Sequence, residues 1–168
     1  MVQSFLVRTE IQKRWIAKFK QVEDIFKQRA AENDIQGQFP FENIKWLVDE
    51  GYTKLTLPKE YGGEGATIED MVILQSYLGA IDGATALSIG WHLSVVGQLY
   101  EQNMWEQSML NTFANEIVNG ALVNRAVSEA ETGSPTRGGR PGTHAVKEDN
   151  GYVLNLSLIH ISEPTRPL

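Results

Sequence analysis

The stretch Ala84–Glu101 carries apolar side chains in two helical registers at once. Leu87, Trp91, Val95 and Leu99 follow at intervals of four, and Ile89, Leu93, Val96 and Tyr100 form a second line beside them. This spacing has the period of an α-helix. A helix apolar on most of its sides belongs in the middle of a bundle, so the neighbouring chain must supply further helices to cover it.

The preceding residues meet that demand. Ile11, Trp15, Phe19, Val22 and Phe26 step by four, four, three and four along one helical face, and Asp34, Gly37 and Pro40 end the run. Its intervening Lys13, Arg14, Lys18, Lys20, Lys27 and Arg29 fit a solvated face. A second helix is expected over Phe41–Glu50, stopped by Gly51. Tyr52–Gly65, with one Pro and several Gly, is expected to be irregular. Thr67 and Asp70 make a capping box that opens a third helix, ending near Ala80 before Asp82-Gly83. Trp105, Met109, Phe113 and Ile117 mark a fifth helix. His92, inside the doubly apolar fourth helix, reads as a packed, hydrogen-bonded histidine rather than a catalytic one.

The texture changes after Asn119-Gly120. Ala121–Val127 reads as a buried strand, and Thr143–Glu148 and Tyr152–Leu154 flank a hairpin turn at Asp149-Asn150-Gly151. Five helices followed by at least three strands give an α+β chain. The expected organisation is an N-terminal all-α helical bundle over 1–120, then the truncated beginning of a β-barrel or β-sheet domain over 121–155.

Composition narrows the chemistry. The chain has 168 residues, 42% hydrophobic and 21% charged, with a net charge of −6. That balance offers no basic face for nucleic acid. With no cysteine, disulfides, thiolate catalysis and cysteine zinc sites are excluded, and His92, His144 and His160 lack metal-ligand spacing. No apolar run approaches the roughly 20 residues of a membrane span. Met1–Trp15 lacks the basic-then-apolar order of a secretory signal, so a cytoplasmic chain is expected.

Between the first strand and the hairpin lies Val127-Ser-Glu-Ala-Glu-Thr-Gly-Ser-Pro-Thr-Arg-Gly-Gly139. Its glycines and hydroxyls suit phosphate or a polar ring edge, or else plain solvent. Gly133–Gly138 has the spacing of a nucleoside-triphosphate loop, but Gly139-Arg140 replaces the required Lys and Ser or Thr. Gly63-Glu-Gly65 begins a dinucleotide fingerprint, yet Ile68 holds the third glycine position. Both readings fail.

Three stretches carry a resemblance: Phe39–Gly65, the helical run with Asp82 and Ser88-Ile-Gly-Trp-His92, and Asn124–Gly139 followed by Asp149–Asn155. Over Thr9–Asn155 the chain resembles the N-terminal part of the acyl-CoA dehydrogenase family. The family's flavin loop, Thr-Glu-Pro-x-Ala-Gly-Ser-Asp, corresponds to Ser128–Pro135 here, with Ala130 in place of Pro and Pro135 in place of Asp. The resemblance implies FAD as cofactor, held at Ala126, Val127, Ser128, Gly133 and Ser134. Val127 and Ser128 would face the flavin ring, Gly133 would allow close backbone approach, and Ser134 would reach both the pyrophosphate and the bound thioester. Glu129 would shape the turn rather than act as an acid or base. Arg137 would either contact a CoA phosphate or sit in solvent. The fourth helix would line the acyl pocket.

The implied reaction is α,β-dehydrogenation of an acyl-CoA to a 2,3-enoyl-CoA. No catalytic residue is expected within this chain, because the family's Glu base lies in a C-terminal domain. Implied partners are the acyl-CoA substrate, an electron-transferring flavoprotein or other electron acceptor, and further copies of the chain in a dimer or tetramer. Two alternatives stand beside this: a flavin-dependent monooxygenase or sulfur-compound oxidase of the same fold, and a non-catalytic helical interaction module. Leu156–Leu168 is set apart. Leu-Ser-Leu-Ile-His-Ile-Ser-Glu-Pro-Thr-Arg looks like translated sequencing-library adapter, which makes 156–168 a non-native tail on this reading.

Overall fold

A computed structural model describes residues 7–102, 104–125, 129, 138 and 142–155. Two compact units divide between Asn124 and Arg125. The first holds five helices: α1 (Glu10–Gln36), α2 (Phe41–Asp49), α3 (Ile68–Ile81), α4 (Gly83–Gln102) and α5 (Gln107–Val118). The second contains a two-stranded antiparallel sheet, β1 (His144–Glu148) and β2 (Gly151–Asn155). This is the expected order, helices first and the start of a β domain after them.

Local chemistry sets the helix ends. Thr9 caps α1, its hydroxyl accepting from the Gln12 amide while the Gln12 side chain returns to the Thr9 backbone. Gly37 closes the same helix at φ +63°, a left-handed conformation that glycine adopts without a Cβ clash. Thr67 and Asp70 form the predicted box at the start of α3. The break between α3 and α4 is a single extended residue, Asp82, whose carboxylate accepts from the Ala84 amide, the Thr85 hydroxyl and Asn43 Nδ2. Gly83 is therefore already helical, and one aspartate both ends α3 and caps α4.

The main core joins Trp15, Phe19 and Phe26 of α1 to Leu47 of α2, Leu74 and Leu78 of α3, and Ile89 and Leu93 of α4. A smaller cluster sets Leu57 and Val96 against Ala114 and Ile117 of α5. Between α2 and α3 the chain makes 3-10 turns at Tyr52–Lys54 and Lys59–Tyr61. It doubles back with the Gly65 amide on the Leu57 carbonyl and the Ala66 amide on the Leu55 carbonyl. The segment is irregular, as expected, yet internally hydrogen-bonded. Gly63 makes it possible: a Cβ there would stand 2.0 Å from the Leu57 carbonyl oxygen.

Three expectations need correction. The Ile89–Leu93–Val96 line of α4 is buried, but Leu87 and Trp91 on the other line are 66% and 56% exposed. Among the described residues α4 is covered on one side rather than all round. In α5 the buried line is Leu110, Ala114 and Ile117, while Trp105 and Met109 face out. Two apolar lines compete there, and the narrower Leu-Ala-Ile line packs against α4 and the preceding loop. Residues 121–125 form no strand, and Leu122 is half exposed. A strand needs a ladder partner, and none is present among the described residues. Ala126, Val127 and Leu156–Leu168 lie outside the described residues.

The hairpin pairs Glu148 with Gly151 and His144 with Asn155 around the two-residue turn Asp149-Asn150. No described helix is long and apolar enough to cross a membrane.

Candidate functional site

A cleft of about 740 Å³ lies where the doubled-back loop, the start of α3 and the second half of α4 meet. Its walls include Thr56, Pro58, Ala66, Thr67, Ile68, Met71, Leu93, Ser94, Gly97 and Tyr100. The hydroxyls among them are committed elsewhere. Thr56 donates to the Leu93 carbonyl at 2.7 Å, Ser94 to the Gly90 carbonyl at 2.8 Å and Tyr100 to the Leu110 carbonyl at 2.7 Å. Thr67 donates to Asp70 at 2.9 Å. What remains facing the space is largely hydrocarbon, which suits an apolar chain. Gly97 lets the loop approach α4: a Cβ there would lie 3.3 Å from Thr56 Cβ.

The ionisable side chains lining the cleft are Tyr100 and Glu101. Burial, with Tyr61 nearby, pushes the Tyr100 phenol up to about 12, so it stays protonated. Glu101 at the rim is exposed. Among the described residues no group of three or more side chains could hold a metal ion.

His92 sits beneath this surface, 2% exposed. Its Nδ1 accepts from the Val123 amide at 3.1 Å, so the proton is on Nε2, which donates to the Thr53 carbonyl at 2.7 Å. Both ring nitrogens are used and the imidazole is neutral. Burial lowers its pKa, against a smaller opposing effect of the Thr53 carbonyl. This is the packed, bonded histidine expected from sequence. Its link to Val123 was not legible, because the partner is a backbone amide with no side-chain signature.

In the second unit Glu129 is 4% exposed and accepts from the Gly142 and Thr143 amides at 2.6 and 2.7 Å. The carboxylate thus ties position 129 to the backbone at 142 and 143. The predicted cofactor residues Ala126, Val127, Ser128, Gly133 and Ser134 lie outside the described residues, as do Pro135 and Arg137.

Comparison with known proteins bears directly on this arrangement. Residues 9–107 match the family model of the acyl-CoA dehydrogenase N-terminal domain. Among curated proteins, the chain is 51% identical to the candidate acyl-CoA dehydrogenase YdbM of Bacillus subtilis (strain 168), over 90% of this chain and 40% of that protein. It is 29% identical to the short-chain-specific acyl-CoA dehydrogenase of Clostridium acetobutylicum, over 83% of this chain and 36% of the relative. Identity to the 3-sulfinopropanoyl-CoA desulfinase of Cupriavidus necator is 27%, over 77% and 32%. The chain spans about a third to two fifths of the length of these relatives. The family match extends from the Thr9 cap through the whole of α4, and by it the chain belongs to the acyl-CoA dehydrogenase family.

Proposed function

We propose that this chain is the N-terminal part of an FAD-dependent acyl-CoA dehydrogenase that converts an acyl-CoA into a 2,3-enoyl-CoA. The observation that carries the reading is a largely apolar cleft against α4, with Glu101 exposed at its rim, in a chain of this family. Such a cleft binds and orients an acyl chain and excludes water from it. It contributes nothing to proton removal, and we assign the α-proton to a carboxylate outside these 168 residues.

One contact supports a flavin reading: Glu129 accepts from the Gly142 and Thr143 amides, on either side of a sequence rich in glycine and hydroxyl groups, the composition that suits phosphate. Ala126, Val127 and Ser128 would hold the ring edge and Gly133 and Ser134 the pyrophosphate, with Ser134 also reaching the thioester. When bound, the flavin supplies the hydride acceptor. An electron-transferring flavoprotein or other acceptor would reoxidise it, and the assembled protein would be a dimer or tetramer.

A second reading keeps the thioester and changes the reaction. Relatives named 3-sulfinopropanoyl-CoA desulfinase and acryloyl-CoA reductase (NADH) match this chain at 27% and 29% identity. A chimera separates the two: residues 1–155 of this chain joined to the remaining length of YdbM, purified and offered a panel of acyl-CoA thioesters. Dehydrogenation predicts a yellow protein and a product lighter by two hydrogens. A folded chimera without flavin, while YdbM retains it, would refute the cofactor assignment. Carbon–sulfur cleavage without desaturation would favour the second reading.

A further inference from the structure

His92 is a buried titratable group that the proposed reaction does not use, and its geometry gives it a task. The Val123 amide donates to Nδ1, and Nε2 donates to the Thr53 carbonyl. Val123 stands three residues before Ala126, at the head of the loop with the assigned cofactor residues. We propose that His92 is a proton-sensitive latch that holds the backbone at Val123 while neutral and releases it when Nδ1 takes a proton.

The reason is donor–acceptor arithmetic. An imidazolium carries N–H groups at both nitrogens and accepts nothing. Protonation at Nδ1 sets one donor against another at Val123, while the Thr53 bond survives. Release is therefore selective. It frees the Val123 amide and leaves α4 tied to the Tyr52–Lys54 turn.

The elements packed against α4 carry Lys54 beside Thr53, Glu69 and Asp70 in α3, and Lys45 and Asp49 in α2. Burial lowers the His92 pKa and the Thr53 carbonyl opposes it. The latch stands on the helical unit alone, whereas its consequence for a cofactor rests on the flavin reading above. As a positioning residue, His92 would hold the Val123 amide at neutral pH and release it in acid.

The test is amide exchange at Val123 in the full chain, followed by NMR from about pH 7.5 to about pH 4.5 and corrected for intrinsic rates. Gly120, whose amide bonds to the Ile117 carbonyl, is the internal reference. In the wild type, ring nitrogen spectra show the Nε2–H tautomer, and Val123 protection falls roughly tenfold as the ring titrates. Two variants divide the ring's roles. His92→Asn keeps an acceptor near Nδ1, so Val123 stays protected and loses its pH dependence. His92→Gln keeps a donor for Thr53 but no acceptor for Val123, so protection is low throughout.

Protection that stays flat while His92 titrates, or a ring that stays neutral across the whole range, would overturn the latch. So would a folded His92→Gln variant that protects Val123 as well as wild type. Should that variant not fold, the wild-type titration still decides. FAD retention by the chimera is scored separately. Failure of the unsubstituted chimera to bind flavin counts against the cofactor reading alone. Unchanged retention in His92→Gln removes only the latch's link to the cofactor.

Discussion

Asp70→Asn is the smallest change that should unsettle the helical unit. Asp70 is 3% exposed and receives four hydrogen bonds. Oδ1 accepts from the Thr9 hydroxyl at 2.6 Å and Gln12 Nε2 at 2.8 Å. Oδ2 accepts from the Thr67 amide at 3.0 Å and its hydroxyl at 2.9 Å. An asparagine must present its NH₂ group to one of these pairs. Facing Thr67 it meets a backbone N–H that cannot turn, so it faces Thr9 and Gln12. Gln12 cannot flip in response, because its Oε1 already accepts from the Arg8 and Thr9 amides. A buried donor is left against a donor, and a second bond to a charged acceptor weakens. At about 1.5–3 kcal/mol per bond to a charged group, the loss is about 3 kcal/mol. Thermal melting should drop by about 9 °C, taking about 3 °C per kcal/mol for a chain of this size.

The pH dependence of that gap tests the cause. Burial pushes the Asp70 carboxyl up, but hydrogen bonds from Thr9, Thr67 and Gln12 outweigh it and hold the group below the usual carboxylate value. A depressed folded pKa gives stability that is present above the unfolded value and lost as pH falls through the folded one. Urea denaturation of wild type and variant should therefore show the full gap at pH 7, closing below about pH 4. A gap under about 1 kcal/mol at neutral pH, or one undiminished in acid, would refute the reasoning.

Three further substitutions probe the doubled-back loop, the start of α4 and the second unit. Gly63→Ala places a methyl 2.0 Å from the Leu57 carbonyl oxygen, so the doubled-back loop must open. Urea denaturation should show a loss above about 3 kcal/mol, whereas Gly83→Ala, with nothing within 4 Å, should be neutral or slightly stabilising. Glu129→Gln keeps the shape of the side chain but only one acceptor oxygen, so either the Gly142 or the Thr143 amide should exchange roughly tenfold faster. Equal protection of both amides would show that the carboxylate does not hold them.

The parts of this fold legible in sequence are those decided within a few residues. The Thr67–Asp70 box, the Gly51 and Gly37 stops and the Asp149-Asn150 turn each settle their own local hydrogen bonds, and the structure has them where the pattern put them. The same residues were illegible in their second roles. Asp70 reads as a helix cap, and only the approach of α1 reveals that it also anchors Thr9 and Gln12. Gln12 itself lies beside the apolar line of α1, yet it is the fully buried residue where Ile11 is only partly so. A polar side chain bonded across two helices satisfies burial as well as an apolar one does, and periodicity has no means of announcing it.

The α4 pattern shows a different limit, and it bears on function. Periodicity reports everything a helix buries in its working state, whatever covers it. The described residues cover the Ile89–Leu93–Val96 line and leave Leu87 and Trp91 open, with Ile68 and Val72 of α3 also exposed. That open strip continues into a shallow hollow of about 450 Å³ lined by Met71, Leu87, Gly90 and Trp91, next to the main cleft. Gly90 has its own reason to stay small, since a Cβ there would meet Gln75 Nε2 at 2.6 Å. The expectation of a helix buried all round therefore overstated what the described residues cover. Exposed tryptophan and leucine beside an apolar cleft are surface whose removal from water is worth about 25 cal/mol per Å². Covering Leu87 and Trp91 with any apolar surface gains that free energy, and the second apolar line of α4 is suited to such cover.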